Sequence, residues 1–367
     1  MDFSLSDDQQ AIAELARKIL DDLASNERQR TLEKMGGGVR FDRELWKALA
    51  EAGLLATPVP EAHAGAGLGF LELAAILEQV GRSAAPVPFY ETLVLGALPL
   101  AEFGNAAQQQ VWLPRVARGE AILTAALAGD APVQATRDGD GWRLTGTRLF
   151  VPAAEIADAI LVPAQTGGAT RVFLVEARAE GLTLVPLATT TGQPESKLEL
   201  VRVKVGSGAL VGREGDGDRI VEWISLRASS ALCMITLGAC EAAMELTKEY
   251  AKTRKQFDQP IAMFQAVGHR AADAYIDTEA VRLTAWQAAW RIAQGLDAAV
   301  QVAVAKFWAG EGGKRIVHAA QHLHGGVGVD REYPLHRYFL LARQLELTLG
   351  SGTPQLVRLG GILAARD

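Results

Sequence analysis

Cysteine is scarce: 367 residues contain two, Cys233 and Cys240. Two thiols seven positions apart in an apolar helical run form neither a disulfide framework nor a zinc ligand set, and they suit packing in a reducing compartment. Positive charge is also short. Thirty-seven Lys and Arg stand against 43 Asp and Glu, a formal net charge of −6. Sequence-independent nucleic-acid binding needs a basic footprint, so no nucleic-acid partner is expected. No unbroken apolar run approaches the ~18 residues of a membrane-spanning helix, and the N-terminus is acidic and amphipathic instead of cationic then apolar. A cytoplasmic protein without a membrane partner is the expectation. Apolar side chains are plentiful, at 49%, with 22% charged. That balance fits a soluble globular chain of two or three domains.

Histidine is rare too, six in all, yet three cluster at His318, His322 and His324. The i, i+4 pair places two imidazoles on one helix face, a spacing that metals use. No carboxylate or cysteine stands at ligand spacing, and His-Gly-Gly opens a turn. No metal is expected, and these histidines read as solvated or as supporting groups.

The pattern along the chain is helical, then β, then helical. Ser6 with Gln9 makes a capping box ahead of Ile12, Leu15, Ala16, Ile19, Leu20 and Leu23 at helical spacing. Asp42 caps a second helix with Leu45, Trp46 and Leu49 inward, stopped by Gly53. Gly65-Ala-Gly-Leu-Gly69 follows a proline-rich turn, whereas a phosphate-cradling loop follows a strand, so a plain turn is expected there. From about Ala121 short β-type runs alternate with glycine and aspartate turns: Gly141-Trp-Arg-Leu-Thr-Gly-Thr, Ala159-Ile-Leu-Val, Arg171-Val-Phe-Leu-Val and Leu198-Glu-Leu-Val-Arg-Val-Lys-Val. Asp138-Gly-Asp-Gly141 marks a turn between two of them. After the loop Gly212–Gly217 the chain is helical again, with alanine-rich faces that suggest a four-helix bundle and a buried subunit interface. The expected fold is α+β: a helical domain over 1–120, a small β domain over 121–217 and a helical bundle over 218–367.

One stretch is distinctive. Tyr250 to Gln265 reads Y-A-K-T-R-K-Q-F-D-Q-P-I-A-M-F-Q. Lys252, Arg254 and Lys255 close a helix, where the macrodipole favours cations whatever else they do. Asp258 and Pro260 then break the helix, and an amphipathic segment opens at Ile261. Further on comes His322-Leu-His-Gly-Gly-Val-Gly328. The order R-K-Q-F-x-x-P-I-x-x-F-Q resembles the flavin-dinucleotide arm of the acyl-CoA dehydrogenases. The N-terminal runs L-W-K-A-L-A-E-A-G-L-L, G-R-S-A-A-P-V-P and F-G-N-A-A-Q-Q-Q-V-W-L-P-R-V-A-R-G-E resemble that family's helical domain. The likeness therefore extends over nearly the whole chain. It implies an FAD-dependent oxidoreductase acting on an acyl-CoA, with an electron-transfer flavoprotein as acceptor. It implies a dimer or tetramer in which Arg254 reaches the pyrophosphate of a neighbouring subunit's FAD. Gln256, Phe257, Gln265, Gly325 and Gly326 would line that site. His322, which stands where the family has a glutamine, would line it too.

The residues that the family's reaction needs are another matter. That reaction removes a weakly acidic proton α to a thioester carbonyl and a hydride from the β carbon, so a desolvated carboxylate must accept the proton. Its loop resembles E-G-T-x-Q in the family; here Leu349-Gly-Ser-Gly-Thr-Pro-Gln355 puts Ser351 at the carboxylate position. A second branch carries the base on the helix before the arm, and that position is Ala228, with Ser229 at the adjoining arginine position. Glu222 and Glu346 are the nearest acids in sequence, at offsets that face elsewhere on their helices. No catalytic residue is assigned. The family's A-L-T-E-P-x-A-G-S-D appears as Ala125-Ala-Leu-Ala-Gly-Asp-Ala-Pro132, and its W-I-T as Phe150-Val-Pro152, where proline has neither hydroxyl nor amide hydrogen. The arm that serves a neighbour is mostly intact while the chain's own ring contacts and base are gone. A subunit of a heteromeric enzyme tolerates that pattern, and some acyl-CoA dehydrogenases of steroid and side-chain catabolism pair two paralogous chains around one flavin. Other readings are a homotetramer with a relocated base, a flavin monooxygenase of the same fold, and a non-enzymatic binding or scaffold protein.

Overall fold

The computed structural model describes residues 5–34 and 40–365. Six helices come first: α1 (Asp7–Leu23), α2 (Asn26–Lys34), α3 (Arg43–Glu51), α4 (Phe70–Ser83), α5 (Leu98–Phe103) and α6 (Ala106–Ala117). Eight strands follow: β1 (Leu123–Ala125), β2 (Val133–Asp138), β3 (Gly141–Pro152), β4 (Ala159–Thr166), β5 (Ala169–Glu176), β6 (Leu182–Leu187), β7 (Glu195–Val205) and β8 (Leu210–Val211). Then come α7 (Gly217–Thr253), a tiny hairpin of β9 (Lys255–Gln256) and β10 (Gln259–Pro260), α8 (Gln265–Ala293), α9 (Ala299–His324), α10 (Leu335–Leu347) and α11 (Gly352–Ala364). The α+β class read from the sequence is the one observed.

Local signals act where expected. Ser6 Oγ accepts the Gln9 amide at 3.2 Å and Gln9 returns a bond to the Ser6 amide at 3.1 Å. Asp42 Oδ1 accepts the Leu45 amide at 3.0 Å. Four consecutive amides of the glycine-rich turn are already engaged within the protein. The N–H groups of Gly65, Ala66, Gly67 and Leu68 donate to carbonyls of Pro60, Ala56, Val59 and Thr57.

Packing divides the chain into two compact units, 32–69 with 86–228 and 1–31 with 70–85 and 229–367. The first holds an eight-stranded sheet in the order β6-β7-β3-β2-β4-β5-β8, with β1 pairing parallel to β4. Period-2 alternation builds its core: Val133 and Ala135 of β2 are buried beside Trp142, Leu144, Val162 and Phe173. The β2–β3 hairpin turns through Gly139, whose φ of 63° only glycine adopts without strain. A register shift between Arg148 and Val151 kinks the end of β3.

The second unit is helical. Its helices α4 and α7 touch backbone to backbone: a Cβ on Gly238 would lie 1.9 Å from the Glu78 carbonyl oxygen. Burial, then the charge of Glu241, pushes the Glu78 carboxyl up, and Arg82 and Arg282 close ion pairs on Glu241. One expectation needs amending. Although no run is unbroken, α7 is long and apolar enough to cross a membrane by length and composition. Arg227 and Glu241 within the helix hide this from a scan for uninterrupted apolar residues. Of its most apolar window 67% is buried inside the protein, the environment of a core bundle helix.

Candidate functional site

The arm begins as α7 ends. The Arg254 amide donates to Tyr250 O and its carbonyl accepts the Ile261 amide, both at 2.8 Å. Between these bonds the chain forms a hairpin, where the sequence suggested only a helix break. Phe257 and Asp258 both have positive φ, 52° and 63°. A two-residue turn with both centres left-handed matches the twist of paired strands, and it is strained for a residue such as Phe. Phe257 is thereby held 88% exposed, packed edge-on to Phe264. Arg254, Gln256 and Gln265 are exposed as well. Among the described residues Arg254 has no ion-pair partner, whereas Lys252 is paired with Glu249.

The glycine loop belongs to the same unit. His322, Gly325 and Gly326 are exposed, and a Cβ on either glycine would meet nothing within 4 Å. Gly325 has φ 60° and ψ −136°, a region essentially closed to other residues. Of the two expected roles, solvated or supporting, His324 takes the second: it is buried and stacks on Tyr250 with ring centroids 4.5 Å apart. That contact ties the loop to the arm. Among the described residues no group of three or more metal-ligating side chains forms.

The base loop is firmly held and holds no acid. Leu349 (φ 57°) and Gly350 (φ 94°) turn the chain into Ser351, the N-cap of α11, whose side chain makes no cap bond. Gln355 Nε2 donates to Leu349 O at 3.0 Å. From α9, Lys306 Nζ donates to Leu345 O and Glu346 O at 2.8 and 3.1 Å, pinning the end of α10. Glu346 is 6% exposed and ion-paired with Arg343. An acid that does lie against the loop is Glu311, whose Oε1 would be 2.8 Å from a Cβ on Gly352. Sequence offsets did not point to it, because it sits on α9. It faces the N-terminus of α11, where carboxylates are at home as caps.

At the second base position, Ala228 is 0% and the adjoining Ser229 2% exposed, so the position is sealed and without an acid. Glu222 is exposed. In the sheet unit, Pro152 offers only its carbonyl, which already accepts the Thr124 hydroxyl at 2.8 Å. Phe150 sits beside it at φ 52°, 61% exposed.

A further acid escaped the sequence reading. Glu91 lies in a π-helical turn (Tyr90–Ala97) and lines a small pocket with Arg40, Ala153, Ile156, Gln193 and Pro194. Burial first, then the charge of Glu195, raises its carboxyl from about 4.5 to about 7. With the folded value above the unfolded one, the unfolded chain ionises first, so stability falls as pH rises from about 4.5 to about 7. Because Glu91 is only partly enclosed, the penalty above pH 7 is set at about 1–2 kcal/mol. Glu91→Gln is expected to raise the thermal midpoint at pH 8 and leave it unchanged at pH 4. An equal gain at both values would mean that the charge is not responsible.

Two parts of FAD test differently against these residues. The exposed, unpaired Arg254 and the open Gly325–Gly326 backbone suit a pyrophosphate. At the two positions where the family resemblance would seat the ring, Ala128 (in the run Ala125–Pro132) and Pro152 supply no hydroxyl, so the residues present do not fit a ring held by this chain.

Residues 6–120 match the N-terminal domain of acyl-CoA dehydrogenases and residues 215–360 the C-terminal domain. Acyl-CoA dehydrogenase FadE27 of Mycobacterium tuberculosis is 44% identical over 375 residues, covering 99% of each chain. A chain in the crystal structure of the ChsE4–ChsE5 complex from Mycobacterium tuberculosis superposes with a TM-score of 0.95 at 45% identity, covering 99% of both. A variant of the Tcur3481–Tcur3483 steroid ACAD gives 0.92 at 40% identity, with the same coverage.

Proposed function

Since the chain belongs to the acyl-CoA dehydrogenase family, a family of FAD-dependent oxidoreductases, we propose that it is the non-catalytic subunit of a heteromeric member. It completes the FAD site of a paralogous partner and has no base of its own. The observation that carries this reading is the contrast within the one chain. Arg254, Gln256 and Phe257 stand exposed at a built hairpin and Gln265 stands exposed at the start of α8, while the two base positions hold Ser351 and Ala228.

When bound, FAD accepts the hydride from the β carbon of the acyl group. Arg254 would hold its pyrophosphate, with Gly325 and Gly326 allowing close approach of the backbone. Neither a serine hydroxyl nor a methyl group can take the α-proton, since a general base must bind the proton in the transition state. The partner therefore supplies the acid, the ring contacts and the thioester pocket. The ChsE4–ChsE5 relative is a complex of two named chains, and the Tcur3481–Tcur3483 relative is a steroid enzyme. The first favours an assembly of unlike chains, and the second favours a steroid or side-chain acyl-CoA as substrate. We place the assembly in the cytoplasm, with an electron-transfer flavoprotein as its acceptor.

The test is co-expression with the paralogous chain encoded in the same genome. Co-purification of a yellow complex is expected. A chain that stays monomeric and flavin-free beside every paralogue would end the proposal.

A further inference from the structure

Two segments of the surface proposed to hold a neighbour's flavin are joined by one side chain. His324 is the last residue of α9 and is 2% exposed. Its Nδ1 lies 2.8 Å from Ala320 O. A carbonyl only accepts, so Nδ1 carries the proton, and Nε2 of the neutral ring accepts from the Tyr333 hydroxyl at 3.2 Å. Burial favours that neutral form and outweighs the backbone carbonyls of Ala320 and Leu246, which pull the other way. The ring lies on Tyr250 at 4.5 Å with an interplanar angle of 25°.

Each contact reaches a different part of the surface. Tyr250 is in the last turn of α7, and its carbonyl accepts the Arg254 amide at 2.8 Å, so the ring's position is passed to the arm. The next peptide bond leads to Gly325 and Gly326, where the backbone is open to a ligand. Tyr333 follows the loop in the chain, so its contact with His324 joins the two ends of the loop.

We propose that His324 is the positioning residue of this surface, fixing Arg254 relative to the Gly325–Gly326 backbone. The inference rests on the reading of the arm as a holder of the partner's FAD, and it adds the group that sets its geometry. A buried histidine that merely fills space would affect folding and leave the arm's work independent of it.

The experiment uses the co-purified complex with FAD bound, and measures FAD release by flavin fluorescence after dilution. His324→Asn keeps a donor for Ala320 O and removes both the stacked ring and the acceptor for Tyr333. Tyr333→Phe removes one hydroxyl and carries little risk to folding. Release is expected to be about tenfold faster for the first and about threefold faster for the second. Since His324 acts through the arm, Arg254→Ala with His324→Asn should release FAD no faster than Arg254→Ala alone. Unchanged release in both His324→Asn and Tyr333→Phe, or effects that multiply fully in the double variant, would overturn the inference. If Arg254→Ala itself leaves release unchanged, the partner-flavin reading fails and amide hydrogen exchange over residues 254–258 decides. Faster exchange in His324→Asn then upholds the positioning role, and unchanged exchange refutes it.

Discussion

Purified alone, the chain is expected to dehydrogenate acyl-CoA thioesters at least about 100-fold more slowly than the assembled enzyme. General bases contribute roughly 10²–10⁴-fold, and two positions that could carry one hold Ser351 and Ala228. The first stands at the N-cap of α11 without a cap bond and the second is completely buried, and neither side chain is a carboxylate. Ser351→Glu restores a carboxylate in the loop but not the ring contacts, because Pro152 still offers only a carbonyl engaged by Thr124. Little rescue is expected from it. The measurement is reduction of an artificial electron acceptor with several acyl-CoAs, for the chain alone and for the complex. Rapid turnover by the chain alone would point to a relocated acid, and Glu311→Gln, beside Gly352, would then be the first variant to assay.

Arg254→Ala in the complex is expected to weaken FAD binding by about 10- to 100-fold while the chain stays folded. A charge-assisted hydrogen bond is worth roughly 1.5–3 kcal/mol, and Arg254 is exposed with no ion pair among the described residues to compensate. Lys252→Ala is the control. Lys252 also stands at the end of α7, but it is paired with Glu249 at 3.2 Å. If cations matter there only through the helix dipole, the two variants should behave alike and leave FAD in place. Equilibrium gel filtration followed by flavin absorbance separates the outcomes.

The fold was readable because its signals are local. Ser6, Asp42, Gly53 and the Asp138–Gly141 turn each work through neighbours a few residues away, and the alternation in β2 and β3 reports a buried face directly. The arm was readable as a motif, and Arg254, Gln256, Phe257 and Gln265 are each exposed. Its shape was not. A helix break is what Asp258 and Pro260 suggest, whereas the left-handed pair Phe257–Asp258 makes a hairpin that ordinary propensities oppose. His324 was hidden for a different reason: its partners Tyr250 and Tyr333 are set by how α7 meets α9, and no spacing within one helix records that. Glu91 and Glu311 were missed likewise, since burial against other elements gives each its surroundings.

The most direct measurement is the number of FAD molecules per chain in the purified complex, from flavin absorbance and total protein. A subunit that contributes an arm but no ring site predicts one FAD for each pair of unlike chains, and none on this chain alone. One FAD per chain, or a yellow protein in the absence of its partner, would contradict the account.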